Sequence, residues 1–180
     1  MGRKLQNSEL NRLSIEEFKL SPKLPIIVVL DNVRSQHNIG AAFRTSDAFR
    51  IESVFLCGIS STPPNAEIHK SALGAEDSVD WHYFANTANA LTFLKQNEYR
   101  IISIEQAENS VMLNNFLPSQ NEKYAFIFGN EVRGVSQSIV DASDLCIEIP
   151  QDGTKHSLNI SVSIGIVLWE FYKNMHSSLL

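Results

Sequence analysis

Three polar stretches of the chain carry residue types that could do chemistry, and each follows directly on a short apolar run. NVRSQHNIGAAFRTSDAF (residues 32–49) sets Asn38 ahead of the small residues Gly40, Ala41 and Ala42, and then presents Arg44. FIFGNEVRGVS (126–136) passes abruptly from three apolar residues to Gly129, Asn130, Glu131, Arg133 and Gly134. IPQDGTKHSLNISVS (149–163) leaves a strand at Ile149, crosses a polar loop at Gly153, and brings Ser157, Leu158 and Asn159 to the entry of the last helix. An amide, a guanidinium and a carboxylate can bind and stabilise polar reactants, and glycines let a backbone come close to a ligand.

Some chemistries are excluded at once. Gly129 and Gly134 have the G-x-x-x-x-G spacing of a phosphate loop, but Val135 stands where a lysine must reach the β- and γ-phosphates. No strand ends in G-x-G-x-x-G, which removes the usual dinucleotide fingerprint. Each stretch also has a plain explanation. GNEVRG could be a tight turn with solvated side chains. Arg44 could be a surface residue paired with Asp47 at i, i+3. Ser157 could cap the last helix, with Asn159 tolerated in its first turn. Asn38 suits the N-cap of the helix after the first strand. Three such stretches, each at the C-terminal end of an expected strand, weigh against three separate coincidences, because open α/β sheets bind ligands there.

The elements that must position these residues follow from hydrophobic pattern. PIIVVLD (25–31), VFLCG (54–58), YRIISIE (99–105), YAFIFG (124–129) and LCIEIP (145–150) read as buried strands. Helices are expected at about 38–50, 87–97, 136–143 and, longest, 157–175, a spacing that gives βα units and an α/β fold with a mostly parallel sheet flanked by helices. Ser14 and Glu17 have capping-box spacing for a short helix ahead of the first strand, so residues 1–23 read as an N-terminal helical extension and 24–180 as one domain. Residues 62–78 and 106–122 read as irregular.

The last helix carries two apolar stripes. Ile160, Ile164, Val167, Leu168 and Phe171 form one; Leu158, Val162, Ile166 and Trp169 form the other, with Ser161 and Gly165 leaving room for close approach. One stripe can face the sheet. The second needs either a neighbouring helix or the same surface of a second subunit, which is a first sign of a homodimer.

Composition sets limits. The 180 residues hold 15 Lys and Arg against 20 Asp and Glu, a net charge of -5, which counts against broad sequence-independent nucleic-acid binding but leaves room for a local basic patch. Residues 1–23 have such a surplus, Arg3, Lys4, Arg12, Lys19 and Lys23 against Glu9, Glu16 and Glu17, with Arg34, Arg44 and Arg50 close behind. Cys57 and Cys146 lie in apolar segments and read as buried thiols, so neither a disulfide nor a metal site is expected. No apolar run reaches the length of a membrane span and the N-terminus lacks a signal-peptide core, so a cytoplasmic protein is expected.

N-x-G-A-A-x-R-T (38–45), F-G-N-E-x-x-G (128–134) and I-P-x-x-G-x-x-x-S-L-N-I-S-V (149–162) resemble, in order and spacing, the three motifs of the SpoU (TrmH-like) RNA 2'-O-ribose methyltransferases of the SPOUT class. The resemblance runs from about residue 24 to 175, and KSALGAEDSVDW (70–81) resembles the segment between the first two motifs. It implies methyl transfer from S-adenosyl-L-methionine to a ribose 2'-hydroxyl, a SPOUT fold whose C-terminal part forms a trefoil knot, and a homodimer with its active site at the subunit interface. It further implies a cofactor pocket built by Gly129, Ile149, Ser157 and Leu158. Asn38, Arg44, Glu131, Ser157 and Asn159 match its polar catalytic positions, Arg44 foremost. Two positions depart from the pattern: Arg50 replaces a usual Gly, and Ser163 stands where Ala is common. Arg50 either relaxes a left-handed or crowded backbone position or adds an RNA-facing charge. With no separate N-terminal RNA-binding domain expected, residues 1–23 and the dimer groove are left to recognise RNA, which favours tRNA over rRNA. Two rival readings are a non-catalytic RNA-binding member of the fold and a methyltransferase acting on a small molecule or protein.

Overall fold

Leu24, Ile26, Val28 and Leu30 of the first strand belong to one apolar cluster and Ile27 and Val29 to another, and all six are buried. A strand covered on both faces must lie inside a sheet that carries helices on both sides. The computed structural model, which describes residues 2–176, has that architecture; the first residue and the last four of the expected 24–180 domain lie outside the described residues. In chain order the elements are α1 (Ile15–Leu20), β1 (Leu24–Asp31), α2 (Gln36–Ala48), β2 (Ile51–Cys57), α3 (Ala66–Ala72), α4 (Ala75–Ser78), β3 (Asp80–Phe84), α5 (Thr87–Gln96), β4 (Tyr99–Ile104), β5 (Val111–Met112), β6 (Lys123–Phe128), α6 (Gln137–Ala142), β7 (Leu145–Glu148) and α7 (Ile160–Met175).

The seven strands form one sheet in the order β3-β2-β1-β6-β4-β7-β5, and every pairing is parallel. The chain builds outward from β1 through β2 to β3, then crosses to the other side, so the order reverses at the β1–β6 boundary. Open α/β sheets place their ligand crevice at such a switch point. Register sharpens this. Leu30 pairs with Phe128, Phe128 with Ile104, and Ile104 with Ile147, so the C-terminal ends of β1, β6, β4 and β7 stand in one row, to within a residue. The residues that follow them share one edge of the sheet.

One face of the sheet is covered by α2 and α7, with Phe43, Ile164, Val167, Leu168 and Phe171 all buried against the strands. Phe171 packs its ring on Phe126 at 4.4 Å and on Tyr124 at 5.0 Å between centroids. Burial of such a ring is worth about 3–5 kcal/mol against alanine. The other face is covered by α5 and α6 through Ala90, Leu91, Leu94 and Ile139.

The expected strands and helices are present, with differences that have local causes. β3 (DWHYF) escapes the pattern because it is an edge strand with no buried residue, and β5 because it has two residues. Residues 62–78, expected to be irregular, hold α3 and α4. Asn65 caps α3 by accepting from Glu67 N and Ile68 N, and α3 seats itself on α2 at Gly40, where a Cβ would overlap Ser71 Oγ and the Ile68 carbonyl. The capping box of α1 forms as expected, with Ser14 and Glu17 bonding each other's backbone N–H groups. Cys57 is buried, and burial pushes its thiol up to about 12, whereas Cys146 is only half-buried. Both thiols are free.

Arg50 lies just past the end of α2 at φ 50, a left-handed position, and its carbonyl accepts Leu24 N at the start of β1. A glycine is normal at this place after a helix. The position is therefore conformationally strained, and it sits at the sheet edge opposite the three polar stretches.

Candidate active site

The helix α2 begins two residues earlier than its first expected turn, and that shift changes the role of Asn38. Ser35 is the N-cap, its hydroxyl accepting from Asn38 N at 3.2 Å. Asn38, expected as the cap, is instead in the first turn and buried, and its side-chain amide donates to Glu131 Oε1 at 3.2 Å. The Glu131 carboxylate also accepts from Ser35 N at 3.0 Å and Arg34 N at 3.2 Å. A carboxylate at a helix N-terminus satisfies orphan amides and meets the positive end of the helix dipole. Partial burial of Glu131 opposes its charge. The hydrogen bonds from its own backbone, from Ser35 and Arg34, and from Asn38 outweigh that and hold its pKa below the ordinary carboxylate value.

GNEVRG is a tight turn, but its side chains are not idle. Asn130 N and O pair with Gly134 O and N, and Asn130 Oδ1 accepts from Val132 N at 2.9 Å. Its amide donates to the Asn32 carbonyl at 2.8 Å, a second tie to the loop after β1. Gly129 lies so close beneath Gly134 and Val135 that a Cβ would overlap their backbone. The glycine therefore serves first to let the turn fold back on itself, leaving main chain as the lining of the sheet edge.

Arg44 is exposed on α2, 1.5 turns or so beyond Asn38 at about 3.6 residues per turn. It forms no ion pair with Asp47, whose Oδ1 is taken by Ser78 Oγ at 2.6 Å. Among the described residues no hydrogen bond or ion pair engages its guanidinium.

The third stretch stands apart from this network. Ile149 is half-buried just past β7, and residues 152–159, including Ser157 and Leu158, are all exposed. The last helix starts at Ile160 rather than Ser157. Asn159 is its N-cap, with Oδ1 accepting from Ser161 N at 2.9 Å and Ser161 Oγ at 2.6 Å. Ser157 thus lies outside the helix, and Asn159 has a capping role in place of a merely tolerated one.

Sequence reasoning missed Glu105 and Gln106, which follow β4 on the same edge. Glu105 Oε2 accepts Val135 N at 3.0 Å, and Gln106 Nε2 donates to the His156 carbonyl at 3.0 Å. No motif spacing marks them; only their place after a strand, beside the other three loops, does. Among the described residues no group of three or more His, Cys, Asp or Glu is arranged to hold a metal ion.

An all-parallel sheet with helices on both faces and a switch-point edge lined by main chain, with no phosphate loop, is the place where open α/β sheets hold a ligand, and Arg44 stands further along α2 with its guanidinium unengaged among the described residues. Comparison with known proteins narrows the class. Residues 25–169 match the SpoU rRNA Methylase family, and the chain belongs to that family. The chain is 34% identical over 146 residues to the 23S rRNA (guanosine-2'-O-)-methyltransferase RlmB of Neisseria meningitidis, covering 81% of this chain and 57% of that protein. The chain thus spans a little over half the length of that curated relative. The crystal structure of the A. aeolicus TrmH/SpoU tRNA modifying enzyme superposes with a TM-score of 0.79 at 26% identity, over 91% of this chain and 82% of that one. The AdoMet-bound rRNA methyltransferase from Sinorhizobium meliloti has the same fold, with a TM-score of 0.76 at 24% identity over 85% and 60% of the two chains.

Proposed function

We propose that this chain transfers a methyl group from S-adenosyl-L-methionine to a ribose 2'-hydroxyl of RNA. The observation that carries this reading is the joining of the first two family motifs at the switch point, where Glu131 gathers Arg34 N, Ser35 N and the Asn38 amide. The cofactor supplies a methyl group already activated on a sulfonium sulfur. Gly129, Ile149, Ser157 and Leu158 would hold it, largely through backbone groups. The donor set fits such a ligand: the lining is bent main chain with an apolar Ile149, and it lacks the lysine that a polyphosphate needs.

Arg44 is the residue that acts on the substrate in this reading. A guanidinium is not deprotonated in proteins, so Arg44 acts as a cation and not as a base. It grips the phosphate beside the target ribose and stabilises the negative charge that develops on the 2'-oxygen as its proton leaves to water. Alignment of the two reactants supplies much of the remaining acceleration. Glu131, held by its donors, serves to fix Asn38 and the start of α2 rather than to take the proton. Ser157 and Asn159 complete the polar set, Asn159 by capping α7 and so aiming the segment before it.

The assembly proposed is a homodimer. Val162, Ile166 and Trp169 are 48%, 37% and 52% exposed on one face of α7, and Leu158, 37% exposed, lies just before the helix, while the opposite stripe is buried. A Cβ on Gly165 would meet nothing within 4 Å, which leaves room for another backbone. Leu158 belongs to both this face and the cofactor set, so pairing through it would close the site. We read residues 1–23 as an extension pinned by Phe18, and the segment from β6 to α7 as the trefoil knot; β7 inserted between β4 and β5 supports the latter. No described helix is long and apolar enough to cross a membrane. We place the protein in the cytoplasm, where RNA and the methyl donor meet.

tRNA is the preferred substrate in this reading, supported by the likeness to the A. aeolicus tRNA modifying enzyme over 91% of this chain. The RlmB relative at 34% identity favours rRNA as a second reading. Mapping 2'-O-methyl positions in total RNA from cells with and without the gene separates them. A missing mark in tRNA supports the first reading, one in rRNA the second, and an unchanged map contradicts both.

A further inference from the structure

We infer that Glu105, with Gln106, is a positioning residue for the methyl donor, joining the two loops that would hold it; the inference rests on the function proposed above. Glu105 is still anchored in the sheet, its N–H donating to the Ile147 carbonyl at 3.1 Å and its own carbonyl accepting Cys146 Sγ–H at 3.3 Å. From that fixed point its carboxylate reaches sideways. Oε2 accepts Val135 N at 3.0 Å, and the same oxygen occupies the space a Cβ on Gly134 would need. Oε1 accepts Gln106 N at 2.8 Å, which turns the Gln106 side chain toward the His156 carbonyl, one residue before Ser157.

The geometry makes a chain of dependence. Gly134 and Val135 lie directly against Gly129, with no room for a Cβ between them. Val135 N is held by Glu105, so the height of the Gly129 backbone is set from β4. Gln106 sets the height of the loop carrying Ser157 and Leu158 from the same two-residue segment. Ser110 adds a third tie, donating to Glu148 Oε2 at 2.9 Å beside Ile149. A ligand clasped between the second and third motifs would therefore feel the loss of this segment though neither side chain need touch it. Displacement of first-contact backbone by an ångström is enough to weaken a clasp of this kind.

The test is calorimetric titration of the full chain with S-adenosyl-L-methionine, paired with methylation kinetics on total RNA. Glu105→Ala should raise the cofactor Kd and KM by about tenfold or more, the loss expected for a hydrogen bond to a charged acceptor. Its KM for RNA should stay unchanged. Glu105→Gln keeps one acceptor oxygen for Val135 N but turns an NH2 toward Gln106 N, so its Kd should fall between those of wild type and Glu105→Ala. Gln106→Ala, at an exposed position, should raise the Kd about threefold and leave the thermal midpoint unmoved. If Glu105→Ala does not fold, the other two variants carry the test. Wild-type cofactor affinity in Glu105→Ala or Gln106→Ala would overturn the inference. So would a Glu105→Gln as weak as Glu105→Ala, which would mean that the charge itself meets the ligand. A wild-type chain that binds no cofactor would instead sink the proposed function, and this inference with it.

Discussion

The two halves of the candidate site are built differently. The half formed by the loops after β1 and β6 is knitted: Glu131, Asn130 and Asn38 tie it together, and every tie is within one chain. The half after β7 is open. Residues 152–159 are exposed, and the side-chain bonds that reach them among the described residues include the Gln106 tie, the Asn159 cap and Ser163 Oγ donating to the Asn159 carbonyl. The knitted half can hold a rigid lining before any ligand arrives. The open half adjoins the exposed face of α7, and in the proposed assembly it would gain its partners from the second subunit and from the cofactor. A site so divided would couple cofactor binding to subunit pairing.

The largest expected effect falls on Arg44, whose guanidinium is engaged by neither half among the described residues. Arg44→Ala should lower kcat by about 100-fold or more, the scale of losing a charge aimed at a developing oxyanion, with an unchanged melting temperature. Arg44→Lys should recover little of that loss, because an ammonium lacks the planar fork. Near wild-type turnover in the lysine variant would remove the two-pronged role.

Next comes the open half. Ile166→Asp puts a charge on the exposed α7 stripe and should turn the proposed dimer into a monomer by light scattering, with cofactor affinity falling alongside. A monomeric variant that binds cofactor as well as wild type would separate pairing from the site. Hydrogen exchange should show the amides of residues 152–158 exchanging fast in the free chain and slowing on addition of S-adenosyl-L-methionine, while those of 34–38 stay slow throughout. Equal rates in the two halves would dissolve the contrast.

In the knitted half, the pKa of Glu131 is held below the ordinary carboxylate value. Its contribution to stability is therefore complete above about pH 4.3 and is lost as pH falls through the lower folded value. The melting temperature of wild type should exceed that of Glu131→Gln at pH 7, and the gap should close in acid. A gap independent of pH would show that the carboxylate charge is not what holds the start of α2. The smallest effect lies outside both halves. Arg50→Gly relieves a left-handed backbone and should stabilise the protein by about 1 kcal/mol or less, with RNA methylation unaffected.

Much of this was legible in the sequence, for reasons that differ by element. Strands buried on both faces announce themselves as apolar runs, and the three motifs keep their spacing because main chain must meet main chain at Gly129 and Gly40. The two stripes of α7 were readable because a helix cannot hide eight apolar residues on one face, although Leu158, expected to open the second stripe, lies just before the helix. Roles inside a motif were less so. Ser35 and Asn38 are both good capping residues, and only the position of Glu131, distant in sequence, decides that Ser35 caps and Asn38 reaches across. The edge strand β3, exposed along its length, and the short helices α3 and α4, set by Asn65 and by contact with α2, leave little periodic signal. Glu105 and Gln106 had none, since their importance comes from register across β6, β4 and β7.

The central claim, methyl transfer to a ribose 2'-oxygen, is tested most directly by incubating the protein with RNA and radiolabelled S-adenosyl-L-methionine and then hydrolysing the RNA in alkali. A 2'-O-methyl group blocks cleavage at its own nucleotide, so the account predicts label in alkali-resistant dinucleotides, formed about 100-fold or more slowly with Arg44→Ala. Label recovered in mononucleotides would place the methyl group on a base, and no transfer to RNA at all would contradict the account outright.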